Sequence, residues 1–155
     1  VLLDSSDLEL VFDISNQIVG VRFINIDVPA GANIVSATLQ FTADETHSGV
    51  TQLTIEGEDT DNASVFTSVS GNISSRTRTS QSVSWSPPAW STVGEAGSAQ
   101  RTPDLLTIIQ EIIDRPGWQS GNSLALIITG TGERVAESYD GDIPNAPILS
   151  ITYTQ

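Results

Sequence analysis

The chain has 155 residues, with 19 acidic side chains against six basic ones, all arginine, and a formal net charge of −13. An acid excess of this size argues against partners that need a basic face, which are nucleic acids and anionic membrane surfaces. No apolar run is long enough for membrane insertion, and the lack of cysteine excludes disulfides and thiolate metal sites.

The length fits one domain with one hydrophobic core. Lysine does not occur, and an acidic, lysine-free surface suits salty water, where exposed charges are screened. Methionine does not occur either, even at the first position. We therefore expect residues 1–155 to form a single module excised from a larger protein that is secreted or held at the cell surface.

Most of the chain alternates between apolar and polar residues, which is typical of strands with one buried face and one solvated face. Taken in order, this alternation predicts strands at residues 8–12, 19–26, 34–43, 53–56, 81–85, 124–129 and 148–153. Glycine, proline, asparagine and aspartate separate these short segments. The pattern indicates an all-β fold, a β-sandwich of the jelly-roll type.

One segment has helical spacing instead, with apolar residues at positions 105, 106, 108, 109, 112 and 113. Thr102 is the predicted N-cap and Pro103 the first helical residue, and the helix should stop near Arg115. A short α-helix with one apolar stripe must pack on the sandwich, where it would cover one end of the core.

Several motifs occur in a recognisable order. Val21-Arg22-Phe23 comes first, followed by a Pro-Ala-Gly-Ala turn at 29–32, a strand at 34–39, tryptophans at 85 and 90, a short helix and a closing strand at 147–153. This order resembles the DNRLRE-type jelly-roll modules. Three further stretches, at 41–46, 57–63 and 136–141, resemble a narrower set of bacterial extracellular repeat modules. The first resemblance implies a non-catalytic carbohydrate-binding module, whose partners are a polysaccharide, acidic in some members, and the other domains of its parent protein.

Acidic residues are concentrated in three stretches that follow or precede predicted strands. If these stretches meet at one end of the sandwich, their like charges need a cation, and calcium suits carboxylate and carbonyl oxygens in irregular loops. The alternative is that the carboxylates are solvated or pair with the arginines. The predicted calcium ligands are Asp44, Glu45, Glu58, Asp59, Asp61, Glu137 and Asp140.

Sugar recognition commonly uses an exposed aromatic ring together with polar groups that bond the hydroxyls. Trp85 alternates with polar neighbours and should belong to the core, whereas two other tryptophans stand in loops that could display them or be anchored by them. Arginines could bind the carboxylates or sulfates of an acidic polysaccharide, or form ion pairs with neighbouring acidic side chains of the protein. The candidate ligand-binding residues are Trp90, Trp118, Tyr139, Arg76, Arg78 and Arg134.

Catalysis is not expected from this sequence. The only histidine, His47, lies in a turn-like segment, and no Gly-x-Ser-x-Gly elbow accompanies it. Two functions follow from these observations. The first is a calcium-stabilised carbohydrate-binding module, and the alternative is a structural or adhesive, calcium-ordered repeat of a surface protein without a sugar site.

Overall fold

The computed structural model describes residues 1–155 and has ten β-strands and one α-helix. The chain is an all-β sandwich with a single short helix, as the alternation predicts. The strands are β1 (Asp7–Glu9), β2 (Phe12–Asp13), β3 (Ser15–Asn16), β4 (Val19–Phe23), β5 (Asn33–Gln40), β6 (Gln52–Glu58), β7 (Arg78–Trp85), β8 (Leu124–Thr131), β9 (Val135–Glu137) and β10 (Ile148–Thr154), and the helix is α1 (Leu106–Ile113).

One layer is a four-stranded antiparallel sheet in the order β4-β8-β6-β7. Its central strand β8 is buried on both faces from Leu124 to Ile128, which explains its continuous apolar sequence. The outer face is covered by residues from the long stretch between β6 and β7. Within that stretch Phe66 lies so close to Gly20 of β4 that any side chain at position 20 would collide with its ring.

The other layer is built around β5, and residues 42–44 beyond this strand bond β9. From residue 36 onward its even-numbered backbone groups face β9 and β10, and its odd-numbered groups bond residues 94–105 on the opposite side. From residue 37 to residue 43 the odd-numbered side chains, such as Leu39 and Phe41, point into the core and are fully buried. β1 completes this layer by pairing with β9.

The core lies between these layers. Trp85 is buried and stacks on Phe41 with ring centroids 5.8 Å apart, which confirms its predicted place in the core. The isoleucine stripe of α1 is buried against β5, β6 and β7. The helix is therefore the lid that its spacing predicts.

The predicted start of this helix is wrong by about one turn. Thr102 and Pro103 are not helical, because this segment lies extended along β5, where the Thr102 hydroxyl accepts the Leu39 N–H at 3.0 Å. Asp104 Oδ1 then accepts N–H bonds from both Ala37 and Leu106, each at 2.9 Å. Residues 102–104 therefore bond the edge of β5, and the helix begins only after them. None of the helices has the length and apolarity needed to cross a membrane.

Candidate functional site

Carboxylates collect on one face of the sandwich, where β1, β9 and the end of the β5 strand lie side by side. Asp7 is directly opposite Glu137, while the Glu137 N–H bonds Thr42 O and the Asp44 N–H bonds Val135 O. Because side chains alternate along a strand, this register places the carboxylates of residues 7, 9, 44 and 137 on the same face. We use the name acidic rim for these four residues together with Glu45, Glu133 and Asp142, whose charges act on Glu9 or Glu137. Its members are Asp7, Glu9, Asp44, Glu45, Glu133, Glu137 and Asp142.

Two glutamates of the acidic rim, Glu9 and Glu137, have raised pKa values. Burial raises the pKa of Glu9 to about 7, with further contributions from Asp7, Asp13 and the glutamates at positions 45 and 133. Burial likewise raises the pKa of Glu137, and Asp44 and Asp142 add to the effect. Both shifts have the same physical cause, because burial and neighbouring carboxylates disfavour the charged form of these two glutamates.

His47 is the one basic group that contacts the rim. Its Nε2 lies 3.1 Å from Glu45 Oε2 and its Nδ1 lies 3.5 Å from Glu133 Oε2. Its backbone pairs with that of Trp90 in both directions. The histidine thus connects two rim carboxylates to the loop that carries Trp90, a role that its turn-like sequence does not reveal.

No three acidic or histidine side chains are grouped closely enough to serve together as ligands of one metal ion. The donors have the right chemistry for calcium, because they are carboxylates. An ion at the rim would have to draw these side chains together. Calcium binding therefore remains a prediction that rests on charge and donor type.

The three acidic stretches do not all meet at one end of the sandwich, so the condition for a single calcium site built from all of them is not met. Rim residue Glu133 contacts Thr51, which directly precedes β6, whereas Glu58 is the last residue of that strand. A seven-residue strand separates these points by about 20 Å. Asp140 is exposed in a turn beside an apolar cleft.

The second acidic stretch is neutralised by arginine. Arg115, just beyond α1, bonds both Asp59 and Asp61, and Arg76 bonds Glu58 at 2.7 Å. These pairs join the loop after β6 to the end of the helix and to the segment before β7. The structure therefore favours pairing with arginine over calcium binding in this stretch, because the arginines already offset the negative charge of these carboxylates.

Of the two alternatives for the loop tryptophans, display to solvent or anchoring of their own loops, the structure shows the second. Trp90 and Trp118 are each only 1% exposed. The Trp90 indole N–H donates to Ala99 O, and that of Trp118 donates to Val28 O, both at 2.9 Å. Buried rings with satisfied N–H groups anchor their own loops and leave no face for a sugar.

The candidate arginines are also engaged within the protein. Arg134 is 1% exposed, and its guanidinium bonds the carbonyls of Pro87, Pro88, Gly49 and Glu133 as well as the Thr51 hydroxyl. Burial lowers its pKa. Arg76 bonds Glu58 and lies over the Phe66 ring at 4.3 Å, and Arg78 lies 3.6 Å from Glu56. Arg76 and Arg134 therefore present no free guanidinium to a ligand, whereas Arg78 Nη1 is buried without a hydrogen-bond partner.

Tyr139 is the one aromatic candidate that faces solvent, with 64% of its surface exposed. It lines an apolar cleft of about 950 Å³ between the edge of β4 and the start of β10. Apolar side chains dominate the walls, and Arg22 and Asp140 are the charged residues among them. The cleft was not foreseen, because its walls come from parts of the chain that are far apart in sequence.

The sequence-based ligand set also omits four members of the rim, which are Asp7, Glu9, Glu133 and Asp142. The sequence could have indicated Asp7 and Glu9, because acidic residues that are two apart on a strand lie on the same face. The pairing of β1 with β9, which sets that face beside Glu137, cannot be read from either segment alone. Comparison with known protein families and with curated proteins finds no match for this chain.

Proposed function

We propose that the chain is a non-catalytic module of a secreted or cell-surface protein, with a structural or adhesive role, whose acidic rim is held together by calcium. The observation that carries the proposal is the alignment of Asp7, Glu9, Asp44 and Glu137 on one face, where burial and neighbouring carboxylates hold Glu9 at a pKa of about 7. A divalent cation would offset that repulsion, and its preference for oxygen donors suits the groups at hand. The acid excess, the lack of lysine and the likeness to extracellular modules support the location.

Thermal melting in calcium and in chelator tests the proposal. We expect calcium to raise the midpoint, because a ligand at 100 times its dissociation constant stabilises by about 2.7 kcal/mol. Glu9→Gln with Glu137→Gln should remove most of this increment. Asp59→Asn is the matched control, since it removes a carboxylate from the arginine-paired loop and should keep the calcium increment intact. An equal midpoint in calcium and chelator would refute the proposed ion.

A polysaccharide-binding role is the second candidate, and Tyr139 is the observation that favours it. An exposed aromatic ring beside a cleft can pack against the apolar face of a pyranose. Pull-down with insoluble polysaccharides and a glycan array test this role. Binding that is lost in Tyr139→Ala but kept in Phe12→Ala, another exposed aromatic, supports it, whereas no binding to any glycan leaves the structural role alone.

A further inference from the structure

The outer edge of β10 has no partner. β10 pairs with β5 alone, and no backbone bond reaches residues 148–154 from any other segment. Since the even-numbered groups of β5 bond β10, the even-numbered groups of β10 point inward to β5. The N–H and C=O groups of Leu149, Ile151 and Tyr153 therefore point outward. The register shift near Thr152 leaves β10 regular, because the extra residue, Val35, is on β5.

Pro147 stands just before this edge, and Ile148 and Leu149 at its start line the cleft together with residues 1–3, but the rest of the edge lacks the usual protection against pairing with another chain. Natural edge strands are commonly blunted by charged side chains, by proline or by a covering segment. β7, at the edge of the other sheet, follows that rule, since Glu111 accepts the N–H groups of Ser80 and Gln81. Residues 146–155 contain no charged side chain at all, in a chain with 19 acids and six arginines. β10 is thus a seven-residue, uncharged and unpaired edge.

We propose that this edge is an interface with a second copy of the chain, in which the two β10 strands pair antiparallel about Ile151. In that register Ile151 faces its own counterpart, and Leu149 faces the partner's Tyr153. Ser150 faces the partner's Thr152 on the solvent side. Apolar residues then meet on the core side, and polar β-branched or small residues meet on the other. The two β5-β10 pairs become one continuous sheet around a two-fold axis.

The charges of the two copies set how this association responds to salt. No carboxylate faces another across the seam, so the local contacts are unaffected by ionic strength. The two copies carry −13 each and repel at long range, and salt screens that repulsion over about 10 Å at 0.1 M. The dimer should therefore strengthen as salt is added, which is opposite to an interface held by ion pairs. A seam of one strand pair is small, so we expect weak, concentration-dependent dimerisation.

Sedimentation velocity from about 1 to 200 µM protein, at low and high salt, measures the association in this weak range. The double variant Ser150→Glu/Thr152→Glu sets two glutamate pairs across the seam and should remain monomeric. The variant Ser150→Arg/Thr152→Glu keeps the net charge and pairs arginine with glutamate in the same register, so it should dimerise again. Ser68→Glu/Ser70→Glu adds the same two charges on an exposed loop and should behave as the unmodified chain.

Circular dichroism of each variant checks that the fold survives, which is expected because both substituted β10 side chains are exposed. A monomer at every concentration and salt level would overturn the proposal. So would equal dimerisation of the two-glutamate variant, since that result places the interface elsewhere. The calcium proposal is independent of both outcomes, because the rim lies on other strands.

Discussion

Asp7 on β1 lies directly opposite Glu137 on β9, so two carboxylates face each other across an antiparallel pair. Like charges in this position destabilise a sheet. Asp7 is accordingly one of the groups that raise the pKa of Glu137. The fold therefore carries an electrostatic cost along the rim, and its stability should depend on pH in an unusual direction.

The first prediction concerns this pH dependence. Glu9 has a folded pKa of about 7 against an ordinary value of 4.5, so its contribution to stability is full below pH 4.5 and is lost as pH rises to 7. Without calcium, the free energy of unfolding should increase when pH falls from 8 to 5.5. Glu9→Gln should raise it at pH 8 by on the order of 1 to 2 kcal/mol and flatten the profile.

Urea denaturation at both pH values measures this effect. Asp140→Asn is the control, because it removes an exposed carboxylate that is not among the groups acting on Glu9. Its profile should follow that of the unmodified chain. A stability that rises steadily from pH 5.5 to 8 would contradict the account of the rim.

The second prediction concerns Arg134, whose buried guanidinium donates hydrogen bonds to carbonyls of three loops. Arg134→Met should cost at least about 3 kcal/mol, because the carbonyls of Pro87, Pro88 and Gly49 lose their donors and a buried acceptor without a partner costs about 1–3 kcal/mol. Arg101→Met, at an exposed arginine, should stay within about 0.5 kcal/mol of the unmodified chain. Chemical denaturation distinguishes the two, and equal effects would show that the buried network contributes little.

The third prediction separates the buried tryptophan from the exposed tyrosine. Trp118→Ala should cost about 3–5 kcal/mol, since it empties a core position and leaves Val28 O without its indole donor. Tyr139→Ala should change stability by less than about 0.5 kcal/mol. Thermal melting measures both, and a mild effect of Trp118→Ala would mean that its loop does not depend on this anchor.

The fold could be predicted from the sequence more fully than the site. Alternation and helical spacing are local signals, and they predict seven of the strands and the helix. Only the start of the helix is mispredicted, because Thr102 and Pro103 have the sequence of a helix N-terminus. The role of Trp118 depends on Val28 O, which is 90 residues away, and that of Arg134 depends on carbonyls more than 40 residues away. The acidic rim likewise needs β1 to pair with β9. Such contacts between distant segments carry no local signature, so the exposed or buried state of these residues could not be predicted.

The last prediction concerns the contact between the helix and the sheet. A Cβ at Gly57 of β6 would lie 2.7 Å from Ile112 Cδ1 and 2.9 Å from Ile108 Cγ2, so α1 packs directly on the backbone of the strand. Gly57→Ala should therefore push the helix outward and cost about 1–3 kcal/mol through overpacking. Gly49→Ala is the matched control, because open space surrounds that position and the change should be small. Equal midpoints of urea denaturation for the two variants would show that α1 tolerates displacement, and that its isoleucine stripe is not seated on β6 as closely as the contacts indicate.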